Sequence, residues 1–259
     1  MTSTLLTAGN VAAATDTHGI TTVTFSHPAH NSLPSRILTD LADTLRRFGE
    51  DEQTRVIVLQ SEGNRTFCAG ASFDELQVIT SKEQGLEFFS GFAKVINACR
   101  TSPKIIIGRV QGKAVGGGVG VAAATDYCFA TTQAAIKLSE LAVGIGPFVV
   151  GPAVERKIGT AAYQQLALDA TEFRPAAWAH EKGLYAELFD NQEALDEAVQ
   201  AFARKLAAYA PDALRAMKKV FWEGTEHWET LLTERAAISG TLVLSDFTRS
   251  VIQKLKPVG

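Results

Sequence analysis

Apolar runs in the first half of the chain predict strands that alternate with helices. Ile20–Phe25 is rich in β-branched residues, while Arg55–Leu59 and Ile105–Val110 are short and mostly apolar, as buried strands are. After Ser32 and Pro34, a helix is predicted from apolar residues at helical spacing, namely Leu38, Leu41, Leu45 and Phe48. A second helix covers Leu86–Cys99. Strand, helix and strand in succession predict parallel strands joined by crossover helices.

The pattern changes after residue 110. A helix of small residues begins near Gly118, and strands follow at Tyr127–Ala130 and Ala134–Leu138. Beyond Pro147 the chain is mostly helical, with one strand near Leu184–Leu188. The helices predicted there are Ala161–Asp169, Pro175–Lys182, Gln192–Tyr209, Pro211–Trp222 and His227–Leu242. We therefore predict an α/β core over residues 1–190 and a helical C-terminal region over residues 191–259.

Composition and charge narrow the class of protein. The chain has 259 residues, of which 46% are hydrophobic, and this suits one large domain or one domain with an appendage. A net charge of −3 argues against binding to nucleic acid or to an anionic membrane. Three cysteines without metal-ligand spacing predict a reducing compartment. No signal-peptide pattern and no apolar stretch of transmembrane length is present, so we expect a cytoplasmic location.

Two segments of small residues are candidates for chemistry: FCAGAS at Phe67–Ser72 and GKAVGGGVG at Gly112–Gly120. Such segments leave backbone N–H groups unshielded, and two N–H groups directed at one carbonyl oxygen would form an oxyanion hole. The second segment is neither a Rossmann fingerprint, because Val121 stands where the third glycine would fall, nor a Walker A loop. The segment fits a strand, a tight turn and the N-terminus of a helix that could bind a ligand. A turn that only lets two backbones pack closely would have the same sequence pattern.

FCAGAS leads into a helix that begins near Ser72 or Phe73. Ser72 is a competent N-cap, and Glu75 three residues later completes the pattern of a capping box. Ser72 is therefore explained by structure alone, whereas Ala69, Gly70 and Ala71 are not.

Glu140 is the candidate proton-transfer group. It lies in an apolar stretch, LSELAVGIG, where partial desolvation would raise the pKa of its carboxyl group and suit it to general acid–base catalysis. An exposed glutamate at a strand end is the alternative interpretation. No cluster of histidines, cysteines and carboxylates predicts a metal site, and no GxSxG motif predicts a covalent nucleophile.

Together these segments resemble the crotonase family, also called the enoyl-CoA hydratase/isomerase superfamily. The resemblance covers most of the chain, from about Thr22 onward. It rests on the order and spacing of HPAHNSL, RVIVLQSEGNRTFCAGASFDEL, IIIGRVQGKAVGGGVGVAAATDYCFAT, the Glu140 segment and EKGLYAELFD. The implied fold is α/β, a crotonase-like spiral of strand–strand–helix units with a helical C-terminal trimerisation region. The implied partners are an acyl-CoA substrate and further copies of the chain, as a homotrimer or homohexamer.

The resemblance also implies roles for individual residues. The N–H groups of Ala71 and Gly117 would form the oxyanion hole for a thioester enolate, with Glu140 as acid and base. Coenzyme A would be bound by Ala69, Gly70, Ala71, Ser72, Phe73 and Asp74, together with Gly116 and Gly117. Coenzyme A enters as part of the substrate, so no separate cofactor is expected. Phe73, Leu76, Val119 and Phe148 are candidates for lining the acyl pocket.

Departures from the family pattern leave the reaction open. Hydratases of the family use two glutamates, and in this chain Gly120 occupies the position of the first one. Asp74 or Glu75 could supply a replacement acid, and Gly120→Glu is expected to raise hydration if the pocket admits water. Ser72 replaces a common aspartate, and Phe148–Gly151 replaces a glycine-rich helix entry.

One carboxylate suits the transfer of a double bond better than the addition of water. The candidate activities are therefore enoyl-CoA hydratase, single-carboxylate delta-isomerase, branched methylglutaconyl-type hydratase and decarboxylase. A member that binds acyl-CoA without catalysis is the remaining alternative.

Overall fold

A six-stranded sheet forms the centre of the computed structural model, which describes residues 9–255. Its spatial order is β1 (Asn10–Thr15), β2 (Ile20–Ser26), β4 (Val56–Ser61), β7 (Ile105–Val110), β9 (Tyr127–Thr131) and β11 (Glu187–Phe189). The β1 strand is antiparallel to β2, and all the other neighbours are parallel. The apolar strands β4 and β7 are central, as expected of parallel strands that are covered on both faces.

Two small parallel sheets carry the chain from the large sheet to the candidate site. In the first, β8 (Lys113–Val115) lies between β5 (Thr66–Cys68) and β10 (Ile136–Lys137). In the second, β3 (Ser32–Leu33) pairs with β6 (Gly70–Ala71). The ends of these short strands bring both small-residue segments and Glu140 into one region.

Eleven helices are present within residues 9–255. They are α1 (Ser35–Glu50), α2 (Phe73–Gln77), α3 (Lys82–Thr101), α4 (Gly117–Ala124), α5 (Gly151–Ile158), α6 (Thr160–Leu168), α7 (Ala176–Glu181), α8 (Gln192–Ala207), α9 (Pro211–Phe221), α10 (Trp228–Leu242) and α11 (Asp246–Lys254). A short 3₁₀ helix, Glu140–Val143, lies between β10 and α5.

Alternation along the central strands divides the core between the two faces of the large sheet. In β4, Val56 and Val58 contribute to a cluster with residues of α8, whereas Ile57 and Leu59 face the larger cluster that includes α1 and α3. Two apolar faces per strand explain why the sequence of β4 shows a continuous run rather than strict alternation.

The core continues across residue 190, where the sequence suggested a boundary. Leu195 and Val199 of α8 pack on one face of the large sheet, and Trp228 and Leu232 of α10 belong to the cluster on the other face. Within residues 9–255, the helical C-terminal region therefore shares its apolar core with the α/β part. The outer ends of the two predicted ranges, residues 1–8 and 256–259, lie outside the described residues.

Most of the predicted elements are confirmed to within a few residues. Ser32 differs, because it belongs to β3 and α1 begins only at Ser35. The structure also contains β1, β3, β5, β6, α5 and α11, which the pattern did not indicate. The α5 sequence begins with Gly151 and Pro152 and reads as a break, but proline is tolerated in the first turn of a helix, where its missing N–H has no acceptor.

Candidate active site

The GKAVGGGVG segment forms a turn between β8 and α4. Gly116 is the N-cap of α4 and has φ +53°, a conformation that L side chains rarely adopt. A Cβ atom on Gly116 would also lie 2.9 Å from Glu140 Oε1. The turn therefore requires glycine at this position for two reasons, its backbone conformation and the nearby carboxylate.

Gly117 presents a backbone N–H that has no hydrogen-bond partner among residues 9–255. It is the first residue of α4, where no intrahelical acceptor exists, and it donates to no other group in residues 9–255. The N-terminus of a helix favours negative charge, because its N–H groups and the helix dipole point outward. This N–H group is suited to donate a hydrogen bond to a carbonyl oxygen that becomes negatively charged.

FCAGAS brings a second N–H to the same place. Ser72 N–H donates to Leu33 O on β3 at 3.0 Å. Since N–H groups alternate in direction along an extended strand, the N–H of Ala71 points away from β3. The turn lies close to Gly117, because a Cβ on Gly70 would be 3.9 Å from Gly117 N. Ala71 and Gly117 both line one cavity.

The hydroxyl of Ser72 caps α2, accepting the N–H of Glu75 at 3.3 Å. The Glu75 carboxylate instead accepts the N–H and hydroxyl of Ser35, at 2.9 and 2.6 Å, at the start of α1. The capping box is therefore only half formed. Asp74 is exposed, and neither Asp74 nor Glu75 lines the cavity. The structure contradicts the expectation that one of them faces Glu140 as a second acid.

Glu140 is the first residue of the 3₁₀ helix, and its carboxyl group lies against Gly116. Its Oε2 atom is buried and has no hydrogen-bond partner among the described residues. Burial raises the pKa of Glu140 from 4.5 to about 7, and a hydrogen bond from its own backbone N–H opposes this only in part. Near neutral pH the group can both accept and return a proton.

A cavity of about 360 Å³ connects these groups. Its wall is mostly apolar and includes five phenylalanines: Phe73, Phe88, Phe89, Phe92 and Phe148. Among the residues between 9 and 255 that line it, Glu140 is the only ionisable side chain. The cavity suits an apolar ligand that presents one polar group to the turn region.

The position of the missing acid, Gly120, is closed by Val150. Gly120 is buried in α4, and a Cβ there would lie 2.5 Å from Val150 Cγ1 and 2.7 Å from Val150 Cβ. Val150 lines the cavity and Gly120 does not. A glutamate side chain at position 120 has no room unless Val150 changes too, so the single change Gly120→Glu is not expected to raise hydration.

Most of the residues singled out from the sequence meet at the cavity. Ala69, Gly70, Ala71, Phe73, Gly116, Gly117 and Glu140 line it, whereas Ser72 is buried beside it and Asp74 faces solvent. Of the residues expected in the acyl pocket, Phe73, Leu76 and Phe148 line the cavity. Val119 is fully buried in the core instead, because it faces inward from α4.

Sequence reasoning missed the wall that α3 and α10 supply. Phe88, Phe89 and Phe92 of α3 and Ser239 of α10 all line the cavity. The sequence FFSGF in α3, with two aromatic residues side by side and a third one turn later, was the available signal.

The described residues contain neither a metal-binding cluster nor a membrane-spanning helix. The His, Cys, Asp and Glu side chains in residues 9–255 nowhere form a group of three or more that could hold a metal ion. Over the same residues, every helix is too short or too polar to cross a membrane.

Comparisons with known proteins agree with this geometry. A family model described as enoyl-CoA hydratase/isomerase matches residues 15–250. Human enoyl-CoA hydratase domain-containing protein 2, mitochondrial, is 30% identical over 80% of this chain and 72% of its own length. Rattus norvegicus methylglutaconyl-CoA hydratase, mitochondrial, is 30% identical over 76% of this chain and 63% of its own length. The crystal structure of an enoyl-CoA hydratase from Bacillus halodurans has the same fold, with a TM-score of 0.87, 22% identity and coverage of 95% and 99% of the two chains.

Proposed function

This chain belongs to the enoyl-CoA hydratase/isomerase family. On that premise, we propose that it moves the double bond of an enoyl-CoA whose acyl group is uncharged and mostly apolar. The observation that carries the proposal is the presence of one ionisable group, Glu140, in an otherwise apolar cavity. Moving a double bond from C3–C4 to C2–C3 requires one base that becomes an acid, and no water. One buried carboxyl with a pKa of about 7 can take both roles.

The proposed reaction has two proton transfers. The Glu140 carboxylate removes a proton from C2, and the electron pair of that C–H bond moves into the thioester to form an enolate. The N–H groups of Ala71 and Gly117 stabilise the enolate oxygen. Protonated Glu140 then returns the proton to C4, which breaks the C3–C4 double bond and leaves a C2–C3 double bond with the thioester carbonyl restored.

Hydration is the second candidate, because both relatives described above carry the name hydratase. Adding water needs a base for the water and an acid for the α-carbon, which one glutamate can provide only in sequence. No other ionisable group among residues 9–255 lines the cavity, and Val150 closes the Gly120 position. Both observations favour isomerisation.

The lining of the cavity also bears on the acyl group. A dicarboxylic acyl group such as methylglutaconyl would bring a second negative charge into the cavity. Among the described residues that line it, none is a lysine, arginine or histidine that could pair with this charge. We therefore favour an uncharged, mostly apolar acyl group and disfavour the methylglutaconyl-type hydratase and the decarboxylase of a dicarboxylic acyl group. A protein that only binds acyl-CoA would gain nothing from a carboxyl group whose buried Oε2 atom has no partner among residues 9–255.

Incubation with crotonyl-CoA, 3-hexenoyl-CoA and 3-methylglutaconyl-CoA in water enriched in both ¹⁸O and deuterium would test the proposal. The readout is chromatographic separation of the double-bond isomers followed by mass spectrometry. We expect 3-hexenoyl-CoA to become 2-hexenoyl-CoA without ¹⁸O, and Glu140→Gln to abolish the conversion. Rapid incorporation of ¹⁸O into crotonyl-CoA or 3-methylglutaconyl-CoA would overturn isomerisation in favour of hydration. Tight binding without any conversion would favour the non-catalytic alternative.

We further propose a homotrimer or a pair of trimers, acting in the cytoplasm on fatty acyl-CoA. Three large apolar side chains of α9, Met217, Val220 and Phe221, are 51%, 59% and 46% exposed on this single chain and suit an interface with another copy. Light scattering of the purified protein tests the assembly, since the mass of a monomer would contradict it. Cell fractionation tests the location.

A further inference from the structure

Two helices in backbone contact build one wall of the cavity. Gly85 of α3 and Gly240 of α10 lie so close that a Cβ on Gly85 would be 2.6 Å from Gly240 Cα. This contact brings Phe88, Phe89 and Phe92 of α3 opposite Ser239 of α10, and all four line the cavity. The wall is thus aromatic except for one hydroxyl group.

That hydroxyl has no partner among residues 9–255. Other hydroxyls on the same two helices donate to the carbonyl four residues earlier, as Ser90 does to Leu86 at 2.6 Å and Thr241 to Ala237 at 3.0 Å. The Ser239 hydroxyl makes no such bond, although only 1% of the residue is exposed. A hydroxyl that lines the cavity without a protein partner can hydrogen-bond a ligand there, and the close helix contact needs a small side chain but no hydroxyl.

We propose that Ser239 determines specificity by hydrogen-bonding an uncharged oxygen on the acyl group of the substrate, a ketone or an alcohol. This assignment rests on the proposed function, because it requires an acyl-CoA in the cavity. The aromatic side chains of α3 pack against the hydrocarbon part of the acyl group, and Ser239 provides the polar contact. A carboxylate is disfavoured there, since no described cation lines the cavity to pair with it.

Calorimetric binding of saturated thioesters tests the assignment without turnover. The probes are octanoyl-CoA and its analogues with a ketone or an alcohol at carbon 4, 5, 6 or 7. We expect at least one analogue to bind about tenfold more tightly than octanoyl-CoA. Ser239→Ala should remove this preference and leave the affinity for octanoyl-CoA within about twofold. Ser90→Ala is the matched control, because Ser90 lies on the neighbouring helix, has its hydrogen bond satisfied and does not line the cavity.

The outcomes separate this assignment from the function on which it rests. If octanoyl-CoA binds but no oxygenated analogue is preferred, or if the preference survives in Ser239→Ala, the role of Ser239 is overturned and the proposed function stands. If no thioester binds, both are overturned.

Discussion

Two buried carboxylates in this molecule have opposite surroundings. Asp126, at the start of β9, accepts the Ile106 N–H at 2.7 Å, Lys218 Nζ at 2.6 Å and Trp222 Nε1 at 2.9 Å. Glu140 Oε2 accepts no hydrogen bond from any described residue, and its carboxyl group faces an apolar cavity. The Asp126 side chain is 3% exposed and Glu140 Oε2 is buried, so hydrogen-bond partners distinguish the two carboxylates more than burial does.

The difference separates a carboxylate that holds the fold from one that is free to react. The Asp126 network joins β7 and β9 of the large sheet to α9, more than 80 residues away, and the Asp126 and Lys218 side chains are only 3% and 2% exposed. The negative charge of Asp126 is balanced by Lys218, and both of its carboxylate oxygens accept hydrogen bonds. At Glu140 the charge is uncompensated, which destabilises the ionised form and keeps the carboxyl group available for proton transfer.

The largest effect is expected from Asp126→Asn. The amide would place its NH₂ group either against the Trp222 Nε1–H or against the Ile106 N–H and Lys218, and it would leave the Lys218 ammonium buried without its counter-ion. We expect the free energy of unfolding to fall by about 3–5 kcal/mol, as measured by urea denaturation. Turnover per folded molecule should stay within a few-fold, because Asp126 does not line the cavity.

Asp43→Asn provides the surface control. Asp43 pairs with Arg46 three residues away on α1, and its side chain is 65% exposed. A loss below about 1 kcal/mol is expected there. If Asp126→Asn cost no more than this control, the network would not be the structural link described here.

Glu140→Gln should have the next largest effect, on turnover rather than on folding. Glutamine keeps the size of the side chain but cannot accept and return a proton. Removing a general acid–base group typically lowers kcat by about 10²- to 10⁴-fold, and we expect a loss in that range with 3-hexenoyl-CoA. A variant that retained a tenth of the activity would show that another group transfers the proton.

The two carboxylates also differ in how far the sequence reveals them. Glu140 could be singled out because its apolar sequence context, LSELAVGIG, suggested a desolvated carboxyl group. In the structure Leu141 and Ala142 face solvent, and the carboxyl group lies against Gly116 beside the cavity instead. Asp126 sits in TDYC and reads as an ordinary acid before a strand. Its partners Lys218 and Trp222 are 92 and 96 residues away, and no local pattern connects them. The apolar composition around an acid is visible in a sequence, whereas a long-range ion pair is not.

The same distinction applies to the fold and the cavity. Strands such as β4 and β7 are encoded by local apolar runs and could be predicted with good accuracy. The filling of the Gly120 position by Val150 depends on two segments thirty residues apart that meet only after folding. Ser239 is more remote still, since it reaches the cavity only because Gly85 and Gly240 let α3 and α10 touch. The family resemblance supplied the site residues that local patterns alone left ambiguous.

Glu140→Gln should also change stability in a pH-dependent way, opposite in sign to Asp126→Asn. The folded-state pKa of Glu140 is about 7, above the value of 4.5 for a free side chain. Below pH 4 the carboxyl is protonated in both states and has no linkage effect. As the pH rises, the unfolded chain ionises first, so the wild type loses up to about 3 kcal/mol by pH 8. Glutamine carries no such penalty.

Urea denaturation at pH 4.5 and pH 8 would measure this effect. The variant should be more stable than the wild type at pH 8, and the gap should close as the pH falls. Glu87→Gln, at an exposed site on α3, should change stability by less than about 0.5 kcal/mol at either pH. If Glu140→Gln were destabilising at pH 8, the carboxylate would have partners in solution, and its contrast with Asp126 would be lost.

The smallest effect is expected where the backbone holds the reactive carboxylate in place, at Gly116→Ala. The new Cβ would lie 2.9 Å from Glu140 Oε1, so the carboxyl group must shift by several tenths of an ångström or more. Such a displacement should lower kcat about tenfold, since proton transfer depends strongly on distance. Gly159→Ala supplies the matched control, because Gly159 also has a positive φ, +77°, but nothing lies within 4 Å of its added Cβ. Both variants bear the cost of an unfavourable backbone conformation, and only Gly116→Ala moves Glu140. A loss of turnover that appears in Gly116→Ala and not in Gly159→Ala would therefore come from the active-site turn, through the position of the carboxylate or of the adjacent Gly117 N–H. Equal turnover in the two would show that the turn at Gly116 does not set the position of the carboxylate.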